Sequence, residues 1–600
     1  MPATVSLIGP QGAVQRVDLD ALLSTDDRER VRIEANRWIK RLRLVRYGSA
    51  SMRERFTYRG DSLWWFTEIY LHKMRRLETA LSVLSALEHA VALHAPTRIV
   101  IECRNATTAD AARAFGRARR LDVDIVQTAV PPRGLSQGLL VGVSALLSRL
   151  RPAPRPLNAP TRVAAFVHTA FWSAGRDGQQ GRESYIGPVL DAIASRLPAD
   201  DLRLIGLGPR RNFRARQWWD PIAGRPGGTR VTPIEQLAPR AALAGSLALW
   251  QRRHALADDV VSGDEVRAAG LHGDVDLWPV LSRELRDAAQ IQWTWSARAM
   301  DEARSALQLS RPDVAVTYAE AGGWGRALVL EARRLSIPTV ALQHGFIYRH
   351  WLNYQHEADE LRAMGDDAGF PYPTRTLVFD RYAAATLEQG GGFPAAAIRV
   401  TGSPRLDELA ARLRASLRDR AIIRTELGIA DDERLLVLAA KATEIGPHLP
   451  ALVAAVQDLP GVTLVIKPHP AETAASYHQY GASGHAVRVE EPRADLGRLL
   501  AASDALVTMN STVAVDALVL GIPAIVVGLP NNLTPFVDAG VMAGAAGGDM
   551  RATLAAVLYD RAAREALIER GAAFADRYEM RADGESAARA ADEILSRFPS

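Results

Sequence analysis

The chain of 600 residues contains a single cysteine, Cys103, so no disulfide framework can form within it. That usage fits a reducing compartment. No apolar run reaches the ~18 residues that a membrane-spanning helix needs. The nearest stretch, residues 139–150, is short, contains Ser144 and Ser148, and reads as a surface or docking helix. Residues 1–12 lack the basic-then-apolar pattern of a secretory leader, so the reading is a cytoplasmic protein, with peripheral attachment to the inner face of the membrane left open. An excess of one sign of charge is lacking too: 73 Lys and Arg stand against 68 Asp and Glu, a net of +5. Such a balance suits anionic small ligands or a membrane surface and gives no footprint for nucleic acid, for which no motif is present. No Asp-x-Asp pair stands at a strand end, so no metal site is expected.

What is present is an ordinary globular composition, 48% hydrophobic and 24% charged, in a chain too long for one core. Residues 1–95 read as a helical N-terminal extension. Its salient stretch holds Trp64 and Trp65, either core residues of a helix capped by Asp61 or Ser62, or a recognition surface for a sugar or a membrane. From residue 98 the pattern changes to short apolar runs alternating with amphipathic segments. Strands are expected at 98–103, 123–127, 162–168, 202–206, 313–317, 339–343, 376–379 and 398–401, with a proline-broken insertion at about 130–160 and a Gly-rich loop at 173–181. A second series follows at 435–439, 463–466, 486–489, 505–507 and 524–527. Alternation of this kind specifies parallel, doubly wound sheets. The expected fold class is α/β: two Rossmann-like domains, residues 96–380 and 381–600, facing a cleft.

The strongest local signals lie at strand ends. Residues 464–470 (LVIKPHP) deliver Lys467 and His469, and residues 505–512 (ALVTMNST) deliver Asn510, Ser511 and Thr512 to a helix start, with Asp516 one turn in. Ligands of open α/β sheets bind outside the carboxyl ends of the strands, and a hydroxyl-bearing helix start favours anions. A cation, an imidazole and hydroxyls there point to a phosphate-bearing ligand. Upstream lie Gln343-His344-Gly345 after a strand, and Gly402-Ser403-Pro404-Arg405-Leu406-Asp407 at the domain junction. Lys441 and Glu444 follow the first strand of the second series.

In this order the four segments resemble those of GT-B glycosyltransferases, above all the bacterial capsule and wall polymer transferases: polysialyltransferases, capsule Kdo transferases and CDP-glycerol glycerophosphotransferases. The resemblance is good over about 310–580, loose over 160–310 and absent over 1–95. It implies a metal-independent transferase that moves a sugar or polyol phosphate from a nucleotide-activated donor to a surface glycan or glycolipid. It implies His344 as the general base and a donor phosphate held by His469 with Lys467, Asn510, Ser511 and Thr512. It also favours a CMP- or CDP-linked donor over a UDP-linked one, with no cofactor. Ser403, Arg405, Lys441 and Glu444 are further candidates for phosphate or base, Asp516 for a ribose hydroxyl, and His168 and Glu183 for the acceptor side. Each has a structural alternative: a turn for His469, an N-cap for Ser511 and Thr512, an inter-domain bond for His344, a domain tie for Arg405. Asp407 reads as structural. Nucleotide-sugar 2-epimerases share the fold, but the position of their basic cluster reads AKATEIG here. A non-catalytic glycan-assembly subunit is the remaining alternative.

Overall fold

The computed structural model describes residues 3–127, 161–168, 171–173, 182–207, 231–318, 320, 322–470, 472–481, 486–545 and 549–597. The insertion at 130–160, the helix expected near 139–150 and residues 174–181 of the Gly-rich loop lie outside them.

The N-terminal unit differs from the expected helical extension. Strand β1 (Ala3–Ile8) runs antiparallel between β2 (Val14–Asp18) and β3 (Arg98–Cys103), and β4 (Asp122–Gln127) adds in parallel to β3, giving the order β2-β1-β3-β4. Residues 98–127 therefore belong to this four-stranded sheet and not to the first Rossmann-like domain. The alternation of β1, with Ala3, Val5 and Leu7 buried, supplies the missing partner for the apolar β3. Helix α1 (Thr25–Leu42) opens with a capping box between Ser24 and Asp27. Helix α2 (Trp64–Met74) is buried along its first eight residues. Trp64 and Trp65 are 1% and 0% exposed, with their indole N–H groups directed at Glu360 and Asp367. They are core residues, and the reading of this pair as a membrane or sugar surface is withdrawn.

The first doubly wound sheet begins at β5 (Val163–His168). It continues through β6 (Leu202–Leu207), β7 (Val231–Pro233), β8 (Val314–Thr317), β9 (Thr339–Leu342), β10 (Arg375–Val378) and β11 (Ile398–Val400). All seven are parallel, in the order β7-β6-β5-β8-β9-β10-β11. The boundary at 380 thus moves to about 401, because β11 still pairs with β10. The second sheet holds β12 (Arg434–Ala440), β13 (Val462–Pro468), β14 (Val487–Val489), β15 (Ala505–Thr508), β16 (Ala524–Val527) and β17 (Ala543–Ala545). It is also parallel throughout, in the order β14-β13-β12-β15-β16-β17. Strands buried on both faces read as continuous apolar runs, which is why their positions were legible. The two strand orders give the pair of doubly wound parallel sheets expected from the sequence.

The chain crosses between the domains twice. The Gly402–Asp407 segment makes the first crossing and pins the second. Gly402 has φ +90° and lies so close to Ser586 that a Cβ there would meet its Oγ at 2.2 Å. Ser403 caps helix α4 (Pro404–Leu417), and Asp407 accepts the backbone N–H groups of Gly584 and Ser586. Helix α6 (Ser586–Leu595) then returns to the first domain, burying Ala590, Ala591 and Ile594 with Val163, Val189 and Ile193. The terminal residues therefore complete the first domain and do not belong wholly to the second.

Candidate active site

The carboxyl ends of the two sheets face one another, and the His344 loop touches the Asn510–Thr512 loop directly. The backbone N–H of Phe346 donates to Thr512 Oγ1 at 3.3 Å. Beside this contact a cavity of ≈ 20 Å³ lies among Gln343, Asp380, Ser403 and Asp516, room for a water and no substrate. On this side Phe346 and Tyr382 meet Phe536 and Phe574.

On the second domain the expected phosphate residues separate into two groups. Strand β12 lies between β13 and β15, so the His469 and Asn510 ends are not neighbours; the Lys441 end stands between them. Ser511 Oγ accepts from Val513 N at 3.3 Å, Thr512 Oγ1 accepts from Phe346, and Asn510 Oδ1 accepts from Asn532 N at 3.1 Å. A hydroxyl that accepts one bond still has its proton to donate, so Ser511 and Thr512 can serve an anion as well. His469 is half-buried; burial and then the Lys441 charge push its pKa down, partly offset by Glu472. Lys441 is exposed and 3.8 Å from Glu444.

Four of the expected residues have structural partners. Lys467, on a strand buried on both faces, donates to the carbonyls of Pro468 and Pro492 at 3.2 and 3.0 Å, which commits two of its three N–H donors to the backbone. Asp516 is 3% exposed and its carboxylate faces Arg405 Nη2 at 2.5 Å, so it is not held out to a ribose. Arg405 spends that nitrogen on the pair and ties α4 to helix α5 (Val513–Val519). Ser403 is buried as the cap of α4.

On the first domain His344 follows β9 inside an aromatic box. Tyr185, Tyr318 and Trp351 stand edge-on to its ring at 5.8, 6.1 and 6.1 Å. Burial pushes its pKa below the ordinary histidine value; the Tyr318 backbone opposes this in part, yet Nδ1 completes no hydrogen bond among the described residues. A neutral imidazole with a bare nitrogen is competent to take a proton. His168 closes β5, donates its backbone N–H to the Tyr318 hydroxyl at 2.6 Å, and has its pKa lowered by burial. Glu183 is 2% exposed; one oxygen accepts from Tyr185 N at 2.7 Å and from Ile186 N, heading helix α3 (Gly187–Ala194). Burial pushes its pKa up to about 7 against those bonds.

The sequence reading missed Glu320. It follows β8, is 3% exposed, accepts the Tyr354 hydroxyl at 2.8 Å, and burial raises its pKa to about 7. A carboxylate three residues past a buried strand was a signal available in the sequence. The box of Tyr185, Tyr318 and Trp351 was not, because its members come from three separate loops.

Among the described residues, one group has the geometry of metal ligands: Glu68, His356 and Glu360, all buried between the N-terminal unit and the first domain. The Lys40 ammonium stands among them, 2.8 Å from Glu360, 3.2 Å from Glu68 and 3.5 Å from His356 Nδ1. A cation is already in place there, and it is a side chain.

No protein-family profile and no curated protein sequence matches this chain. Solved structures match at low identity. UDP-GlcNAc 2-epimerase from Methanocaldococcus jannaschii is 14% identical, covering 73% of this chain and 99% of that one, with a TM-score of 0.40. The enzyme of the same name from Neisseria meningitidis, bound to UDP-GlcNAc, is 11% identical over 73% and 99%, TM-score 0.42. A variant of the wall teichoic acid polymerase TagF is 12% identical over 81% and 96%, TM-score 0.39. Likeness at this level concerns outline alone and carries no weight for chemistry.

Proposed function

We propose that the protein is a metal-independent transferase that moves a sugar or polyol phosphate from a nucleotide-activated donor to a glycan or glycolipid acceptor of the cell envelope, working at the inner face of the membrane. The observation that supports this reading is the Phe346–Thr512 contact, which sets the His344 loop against the anion-ready loop of the opposite domain. In this scheme the Ser511 and Thr512 hydroxyls, His469 and Lys441 hold the donor phosphate and offset the charge that grows on the departing nucleotide. His344, neutral at pH 7, takes the proton of the acceptor hydroxyl as it attacks. No described helix is long and apolar enough to cross a membrane.

The test is turnover of CMP-, CDP-, UDP- and GDP-linked donors by the full chain. Nucleotide release that requires an added glycan acceptor is the expected result, with CMP- or CDP-linked donors preferred. Isomerisation of a UDP-sugar without acceptor would replace the transferase reading with an epimerase. Neither activity, with glycan binding retained, would leave an assembly subunit.

A further inference from the structure

Helix α1 packs Val31, Ala35, Ile39 and Leu42 into the core of the N-terminal unit and leaves its other face open. Beside that face stands a hairpin made by Leu271–His272 and Val275–Asp276. His272 lies 3.3 Å from Glu34, and the Trp38 indole donates to the Ala269 carbonyl at 2.8 Å, so helix and hairpin are fixed to one another. Between them runs a trough of ≈ 670 Å³ whose apolar lining is Ile33, Trp38 and Leu271. At Arg30, Glu34 and His272 it joins a second trough of ≈ 460 Å³ over Leu81, Leu84 and Val275. Ile33 is 37% exposed and Leu271 54%.

The charges along this face are sorted. Asp26, Glu29 and Glu34 are the acids and Arg30, Arg37 and Arg41 the bases, with the acids set toward the N-terminus of α1. Some are already matched within the chain: Glu29 with Arg349 and His350, Glu34 with His272, Arg30 with Asp27. Asp26, Arg37 and Arg41 are exposed and form no ion pair among the described residues. The unmatched charges are therefore an acid in the first turn and two bases near the end, with Ile33 between them. An anionic membrane would attract the three bases and repel the three acids. A second α1 laid antiparallel answers both signs. Asp26 and Arg41 lie seven and eight residues on either side of Ile33. A two-fold axis at Ile33 therefore sets Asp26 of each copy beside Arg41 of the other, seats Ile33 against its own counterpart and opposes the two helix dipoles. Leu271, on the rim of each trough, adds apolar area to the same contact. We propose that two copies of this chain associate through α1 as an antiparallel, two-fold dimer. The surface lies in the N-terminal unit, and the proposal stands apart from the transferase reading.

Sedimentation velocity of the full chain over a concentration series, at low and at high salt, tests this. A dimer is expected, weaker at high salt because the paired ends are screened. Arg41→Glu and Asp26→Lys each set like charges together at both ends of the contact and are expected to weaken self-association at least tenfold. Mixed in equal amounts, the two variants face acid to base at both ends, and a heterodimer close to wild-type strength is expected. That recovery also shows that both variants are folded. Ile33→Asp places two acids on the axis and should weaken the dimer as well. Ile422→Asp, at an exposed position of the second domain, should leave it unchanged. A chain that stays monomeric at every concentration in low salt overturns the proposal, as does a dimer that both charge variants leave intact, or a mixture that fails to recover. A monomer that pellets with phosphatidylserine vesicles, and loses this with Ile33→Asp, gives the face to a membrane and overturns it too.

Discussion

Arg405 and Asp516 face one another at 2.5 Å, one on the helix that follows the domain crossing and the other on the helix that follows the Asn510–Thr512 loop. Breaking a buried pair from one side leaves an uncompensated charge. Arg405→Ala is therefore expected to cost about 3–5 kcal/mol, and adding Asp516→Asn should recover a large part of it. Denaturant unfolding of both variants measures this. If the double variant is no more stable than the single, the pair is not what holds these helices together.

His344 stands across the interface from the phosphate-side loop. His344→Ala should leave nucleotide affinity nearly intact while turnover falls about 10²–10⁴-fold, the usual range for loss of a general base. Steady-state kinetics beside calorimetric titration separates the two effects. Turnover that survives would make His344 part of the wall only.

Ser511 and His469 are expected to contact the donor phosphate. Ser511→Ala and His469→Ala should each weaken nucleotide binding by about 1–3 kcal/mol, since each removes a bond to a charged group. Ser511→Ala also removes the bond to Val513 N, so its thermal midpoint without ligand must be recorded for comparison. Wild-type affinity in both variants would move the phosphate elsewhere on the sheet edge.

Glu320 makes a prediction about pH. Its folded pKa of about 7 lies above the ordinary value of 4.5, so between those limits the folded chain keeps a proton that the unfolded chain has lost. Stability from this group is complete below pH 4.5 and is lost as pH rises to about 7. Glu320→Gln removes the titration. Between pH 5 and pH 8 it should lose about 1–3 kcal/mol less than the wild type, read by denaturant unfolding at each pH. Equal losses in the two proteins would mean that Glu320 is ionised in the fold. Glu183 and Glu331 shift the same way, so a slope remains in the variant.

The second domain was legible almost strand by strand. Val437, Leu464, Leu506 and Ile525 sit in runs apolar on both faces, which only a covered parallel sheet requires. Partnership was harder to read. Ile99 and Ile101 mark a strand as clearly as Val163 does, but nothing in either run says that β3 pairs with Ala3–Ile8 while β5 opens a different sheet. Side-chain destination was harder still. Lys467 has the position of a phosphate ligand, and only the fold brings the Pro492 carbonyl to its ammonium. Trp64 and Trp65 leave a core and a surface reading open until Glu360 and Asp367, three hundred residues later, are seen to receive their N–H groups.

The helix Ser586–Leu595 closes over Val163, Val189 and Ile193 only after the chain has laid down the whole of the second sheet. The first domain is thus begun early and roofed late, and its apolar face waits uncovered while the other domain is made. Folding of the two halves is coupled through order of synthesis as well as through contact, and the half that starts first is the one that finishes last.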